Sequence, residues 1–232
     1  MTTATLSPAD LQLRDRAMRQ LGWDSQVDSS AIGVSARDRV ITLTGFIDSY
    51  AGKLAAERAV KRARGVRAVA NDLQVTLRLE RTDADIAGDV VRALDQHATL
   101  PPGVQAVVHH GHVTLTGTVR TLFQRVVAEK SLRYVKGIKG IVNRIAVTPL
   151  ASASAAAENI QPSIAAALHQ DADLDAHGIN VLVSGNSVTL TGTVRSWHER
   201  ESAERAAMHA PGITQVDNRI AVRWPDDAGP EL

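Results

Sequence analysis

Val113-Thr114-Leu115-Thr116-Gly117 returns unchanged as Val188-Thr189-Leu190-Thr191-Gly192, and Ile41-Thr42-Leu43-Thr44-Gly45 is a close variant ahead of both. Three copies of one pentapeptide in 232 residues make an internal repeat the first thing to test. Counting from each pentapeptide glycine, a second glycine stands 20 residues on, at Gly65, Gly137 and Gly212, and an asparagine 26 residues on, at Asn71, Asn143 and Asn218. Spacing that repeats without a slip means three homologous modules, so the chain divides as 7–80, 82–149 and 158–225. Residues 150–157 form an Ala/Ser linker, either flexible or an extension of the next helix, and 226–232 a tail expected to be disordered. Modules 1 and 2 are joined with almost no slack, which predicts a fixed pair and a more independent module 3.

Outward from the pentapeptide, each module reads the same way. Apolar residues four apart (Leu13/Ala17/Leu21, Ile86/Val90/Leu94, Ile160/Ile164/Leu168) predict an opening amphipathic helix. Alternation at Ile32/Val34/Ala36, Val104/Ala106/Val108 and Ile179/Val181/Val183 predicts a strand with one buried face. A short polar turn then leads into the pentapeptide strand, giving a hairpin whose Val and Leu face inward and whose Thr residues face out. Ser49, Thr121 and Ser196 stand as N-caps of a second helix with an Ala-rich buried stripe. Gly65, Gly137 and Gly212 fit the left-handed C′ position at its end, and an alternating run after each asparagine supplies a third strand. The fold class is therefore α+β: three tandem αββαβ modules, each a three-stranded mixed sheet in order 1-2-3 with two helices on one face.

Composition narrows what such modules are built from. Hydrophobic residues make up 44% of the chain and aromatics only 3%, so the cores are assembled from Val, Ile, Leu and Ala. The 26 basic and 25 acidic side chains balance, and the absence of cysteine excludes disulfides and thiolate chemistry. Met1–Pro8 has neither a basic nor an apolar signal region and no apolar run reaches membrane-spanning length, so the cytoplasm is the expected compartment, or the periplasm for a processed chain.

The pentapeptide, the glycine after 20 residues and the asparagine after 26 make these modules resemble BON domains, over roughly residues 7–225. Modules 2 and 3 carry the resemblance best, sharing Val-Thr-Leu-Thr-Gly-Thr-Val-Arg and Asn-Arg-Ile-Ala-Val, whereas module 1 departs at Phe46-Ile47-Asp48 and Asn71-Asp72-Leu73. The resemblance implies a non-enzymatic bacterial binding module that contacts phospholipid membranes or envelope partners and is tied to osmotic or envelope stress. Most relatives are periplasmic and carry signal peptides, which the reading of Met1–Pro8 does not lead one to expect here.

The chemistry-bearing residues point the same way. Thr44, Thr116 and Thr191 repeat without a matching His or acid, so no nucleophile–base set, no cofactor and no enzyme is expected. Glu57, Glu129 and Glu204, each followed by a basic residue, read as a solvated helix face. His109, His110 and His112, with His97 in the same module, offer metal-ligating nitrogens, but hairpin neighbours rarely converge on one ion, so an exposed turn is expected and no metal. Asn71, Asn143 and Asn218 are expected to hydrogen-bond a neighbouring turn. Residues 48–67 hold six basic and two acidic side chains, 120–139 hold six and one, and 195–214 cancel at three and three. An anionic phospholipid surface or protein partner would accordingly be met through Lys53, Lys61, Arg62 and Arg64 and through Arg125, Arg133, Lys136 and Lys139. The alternative is a sensor of a small cation such as potassium, whose modules close around the ion. No motif for specific nucleic-acid recognition is present.

Overall fold

Pro8–Trp23 (α1) starts at a cap built from Ser7, whose hydroxyl accepts from the Asp10 N–H at 3.1 Å and donates to the Asp10 carboxylate at 2.8 Å. In the computed structural model, which describes residues 7–77, 81–149, 160–170 and 178–223, the same plan is laid down three times. Module 1 continues with Ile32–Arg37 (β1), Val40–Ile47 (β2), Tyr50–Lys61 (α2), Ala68–Asn71 (β3) and Gln74–Val75 (β4). Module 2 consists of Asp83–Asp95 (α3), Gln105–His109 (β5), His112–Thr116 (β6), Thr118–Val119 (β7), Leu122–Ser131 (α4), Gly140–Asn143 (β8) and Ala146–Val147 (β9). Module 3 comprises Ile160–Gln170 (α5), Ile179–Ser184 (β10), Ser187–Val194 (β11), Trp197–Met208 (α6), Gln215–Asn218 (β12) and Ala221–Val222 (β13). The linker 150–157, the start of the third opening helix near Glu158 and the tail 226–232 lie outside the described residues.

The pentapeptide strand is central in the largest sheet of each module, and in module 2 β7 and β9 form a separate two-stranded pair. β2 pairs antiparallel with β1 (Val34 opposite Leu43) and parallel with β3 (Leu43 beside Asn71), and the registers of β6 and β11 are equivalent. The third strand breaks after its asparagine and resumes in unchanged register, Ile47 beside Val75. Ile41 and Leu43 join the buried stripes of α1 (Leu13, Ala17, Leu21) and α2 (Ala56, Val60) in one cluster, so both helices cover the same face of the sheet. Among the described residues the buried hydrophobic side chains are all Val, Ile, Leu or Ala, as the scarcity of aromatics requires.

The pentapeptide glycine is where the backbone comes too close for a side chain. Gly45, Gly117 and Gly192 have φ of 106°, 119° and 125°, and a Cβ there would run into the carbonyl oxygen of Ala31, Gly103 or Gly178, where the preceding strand begins. Gly65, Gly137 and Gly212 are left-handed too, but do not occupy the helix C′ position expected of them. α2 ends at Lys61 and α6 at Met208, and tighter turns follow, with Arg62 and Ala63 donating to Ala59 and Val60. Gly65 and Gly212 then fall third in four-residue turns closed by Val66 to Ala63 and Ile213 to Ala210, both at 3.4 Å. A turn with positive φ at its third residue favours Pro before it, and Pro211 stands there in module 3.

The chain forms two compact units, Met1–Arg81 with Lys136–Lys139, and Thr82–Val135 with Gly140–Leu232. Module 3 therefore shares a unit with module 2, contrary to the independence predicted from linker length. The reason is apolar: Leu122, at the start of α4, is buried in the cluster that holds Ile164, Leu168 and Ala207 of module 3, and Val147 packs against it. No helix among the described residues is long and apolar enough to cross a membrane.

Candidate functional site

The repeated asparagine binds its module's second helix to the break in the third strand. Asn143 Nδ2 donates to the Arg125 carbonyl at 2.8 Å and to Glu129 Oε2 at 3.3 Å, while its Oδ1 accepts from the Ile145 N–H at 3.2 Å. Asn71 makes the equivalent bonds to Lys53, Glu57 and Leu73, and Asn218 those to Arg200, Glu204 and Ile220. The repeated glutamate is thus an acceptor for the asparagine amide rather than a purely solvated charge.

The cation on the helix turn before that glutamate returns the bond. Lys53 Nζ donates to the Leu73 carbonyl at 2.8 Å, Arg125 Nη2 to the Asn143 carbonyl at 3.3 Å, and Arg200 to the Asn218 and Ile220 carbonyls at 2.6 and 3.0 Å. Carbonyls exposed by the strand break find charged donors there, which are stronger than neutral ones. Lys53 and Arg125, both expected to face an anionic surface, serve the fold instead.

Two more of the expected contact residues are held within module 1. Lys61 pairs with Glu57 at 2.9 Å, one helical turn away, and Arg62 with Asp24 at 2.7 Å, tying the end of α2 to the end of α1. Burial alone would raise the Glu57 pKa, but the hydrogen bond and charge of Lys61, with Asn71 and Lys53, bring it below the usual carboxylate value. The Arg62 hydrogen bond similarly holds the Asp24 carboxyl low. Arg133 is half-buried, and its Nε is buried without a hydrogen-bond partner among the described residues. Arg64, Lys136 and Lys139 are exposed, as is Lys130, which charge counting alone did not single out.

The histidines of module 2 lie at a hairpin tip. His109 and His112 are cross-strand partners, and His110-Gly111 form the two-residue turn, both with positive φ. Among the described residues no group of three or more His, Cys, Asp or Glu side chains is arranged to hold a metal ion. The turn is instead secured by Asp83, whose carboxylate accepts from the Gly111 and His110 N–H groups at 2.9 and 2.7 Å. Those bonds hold the Asp83 pKa below its ordinary value. Asp10 plays the matching part in module 1, accepting from Arg39 N–H at 3.4 Å beside the Asp38-Arg39 turn. Both aspartates read in the sequence only as first-turn helix residues. Their reach to a turn 27 or more residues away has no local signal.

Two aromatics stand in and beside α4. Tyr134 is 72% exposed just past α4. The Phe123 ring lies 5.0 Å from that of His209, so module 2 meets module 3 at the start of α4.

Comparison with known proteins bears on these features as a set. The family model for the BON domain matches residues 9–76, 82–149 and 156–223. Over 124 residues, 50% of this chain, the sequence is 30% identical to the osmotically-inducible protein Y of Escherichia coli (strain K12), and the match spans 62% of that relative's length. Similar solved structures include CdsD, a structural protein of the type III secretion system of Chlamydia trachomatis, at 12% identity and a TM-score of 0.27, covering 94% of this chain and 93% of that one. The PrgH periplasmic domain is another, at 12% identity and a TM-score of 0.23, with 83% and 95% covered. Scores this low carry no argument about how the modules are arranged.

Proposed function

The chain belongs to the BON domain family, and on that premise we propose that it is a binding protein of the osmotic or envelope stress response that meets an anionic phospholipid surface through exposed basic side chains. The likeness to an osmotically inducible protein supports the stress assignment. The observation that carries the binding assignment is the unequal charge of three otherwise equivalent segments. Residues 120–139 hold six basic side chains against one acidic, and Lys130, Lys136 and Lys139 among them are exposed, whereas 195–214 are neutral. Lysines and arginines near an anionic leaflet contribute about 1 kcal/mol each, so a few exposed ones give reversible, salt-sensitive attachment. Arg64 adds an exposed charge in module 1.

Co-sedimentation with phosphatidylserine-containing and purely phosphatidylcholine vesicles tests this, at low and at physiological salt. The full chain should pellet with the anionic vesicles, less so at higher salt. Lys136→Glu/Lys139→Glu should weaken binding severalfold, while Lys53→Gln, which removes an internally bonded charge, should change it little in chain that remains folded. Binding that ignores salt and survives the charge reversal refutes the reading. No binding to either vesicle replaces lipid with a protein partner.

A further inference from the structure

We propose that two copies of the chain join edge to edge through β10, each adding the other's Ile179–Ser184 to its sheet as an antiparallel neighbour. β10 lies at the edge of module 3's sheet, which runs β10-β11-β12. The two-residue turn Gly185-Asn186 makes Ser184 and Ser187 the closing pair of the hairpin. A closing pair of this kind exchanges both N–H···O bonds and every second residue follows it, so Ser184, Leu182 and Asn180 bond inward to β11. The main-chain N–H and C=O groups of Ile179, Val181 and Val183 therefore point outward, and among the described residues nothing bonds to them. Their side chains pack against module 3's core yet stay only half-buried, so the core is left open along this edge.

Edge strands are ordinarily protected by a charge, a proline, a bulge or brevity. β10 has none of these: six residues, Ile-Asn-Val-Leu-Val-Ser, pair with β11 without a break, and Leu182 is 64% exposed on the open face. The matching strands differ. β1 is interrupted by Gly33 and ends in Arg37, and β5 is a residue shorter. The helix beside β10 is uncharged as well. From Ile160 to Leu168, α5 has no charged residue, and its exposed positions include Gln161, Pro162, Ala166 and Ala167. In the same place α1 exposes Asp15 and Arg19, and α3 exposes Asp85, Arg92 and Asp95.

The strand is complementary to itself. In an antiparallel pair centred on Val181, Val181 lies opposite Val181 and Ile179 opposite Val183 on the helix-covered face, and Leu182 lies opposite Asn180 on the open face. This register pairs all three outward residues, so each outward N–H meets a C=O of the second copy. It also sets β-branched side chains against one another across the junction, where each closes the open side of the other's core, and it opposes no like charges. The contact is isologous: both copies use the same edge, and none is left for a third. It is independent of the lipid reading.

Sedimentation velocity of the full chain without lipid, over a wide concentration range, tests the proposal. The weight-average mass should rise with concentration to that of a dimer and level off. Leu182→Lys, at an exposed position, should weaken dimerisation severalfold with an unchanged circular dichroism spectrum, whereas Ser35→Lys, at the matching position of β1, should not. The chain has no cysteine, so crosslinking reads the register directly. An equimolar mixture of Asn180→Cys and Leu182→Cys chains should give a disulfide-linked dimer on mild oxidation, and either variant alone far less; this comparison decides the matter if Leu182→Lys does not fold. A chain that stays monomeric at every attainable concentration overturns the proposal. So does growth past the dimer, association that Leu182→Lys leaves untouched, or crosslinking no greater in the mixture than in the single variants.

Discussion

Replacing Asn143 by alanine measures what the repeated bracket contributes. The side chain makes three bonds, to the Arg125 carbonyl, to Glu129 and from the Ile145 N–H. A hydrogen bond contributes about 0.5–1.5 kcal/mol net, and a buried donor left without a partner costs about 1–3 kcal/mol. Ile145 is 2% exposed, so its N–H belongs to the second case. The expected loss is about 3 kcal/mol. If the whole second compact unit melts together, that lowers the melting midpoint by about 6–12 °C, and by about twice as much if module 2 melts alone. The assay is urea denaturation followed by circular dichroism, with amide exchange at Ile145 as the local readout. Asn143→Asp separates the two halves of the bracket. It keeps an acceptor for the Ile145 N–H but sets a carboxylate against Glu129 and the Arg125 carbonyl, so the loss it shows belongs to the helix side of the bracket. A loss for Asn143→Ala within about 0.5 kcal/mol, the range of an ordinary surface substitution, with Ile145 still protected, would refute the reasoning.

The other expectations concern single backbone and acid positions. Gly117→Ala should destabilise by at least about 1–3 kcal/mol, because the residue combines a φ of 119° with a carbonyl where its Cβ would go. Gly22→Ala, inside α1 with nothing within 4 Å of the added carbon, should stabilise by about 0.4–1 kcal/mol, and thermal melts of the pair give opposite shifts. Asp83 has its folded-state pKa lowered by the Gly111 and His110 N–H groups. Its contribution is therefore present above the unfolded pKa and lost as pH falls through the folded one. Urea midpoints measured from pH 7 down should decline below about pH 4, and less steeply in Asp83→Asn. Equal slopes in the two proteins would show that the turn contact carries no linkage.

The sequence alone determined the repeat, the order of elements and the inward face of each. These follow from features that are local or strictly periodic. Alternation by two marks a strand whether or not its partner is known, a stripe at four marks a helix, and a pentapeptide recurring with fixed distances to a glycine and an asparagine marks a module. Leu13/Ala17/Leu21 and Ile41/Leu43 could be read as core because their spacing has only one buried solution.

Which charges remain for a partner was decided by tertiary structure. A lysine at 53 and a lysine at 136 look alike in a count, yet one reaches the Leu73 carbonyl, 20 residues away, and the other stays exposed. The same holds for Asp83, read as a first-turn helix residue until the hairpin turn comes within its reach. Module pairing belongs here too, since the brevity of the junction between modules 1 and 2 said nothing of where Leu122 would be buried or which ring Phe123 would meet. Periodicity records how a side chain faces its own element. What it meets there depends on where distant turns of the backbone arrive, and that is settled only when the chain has folded.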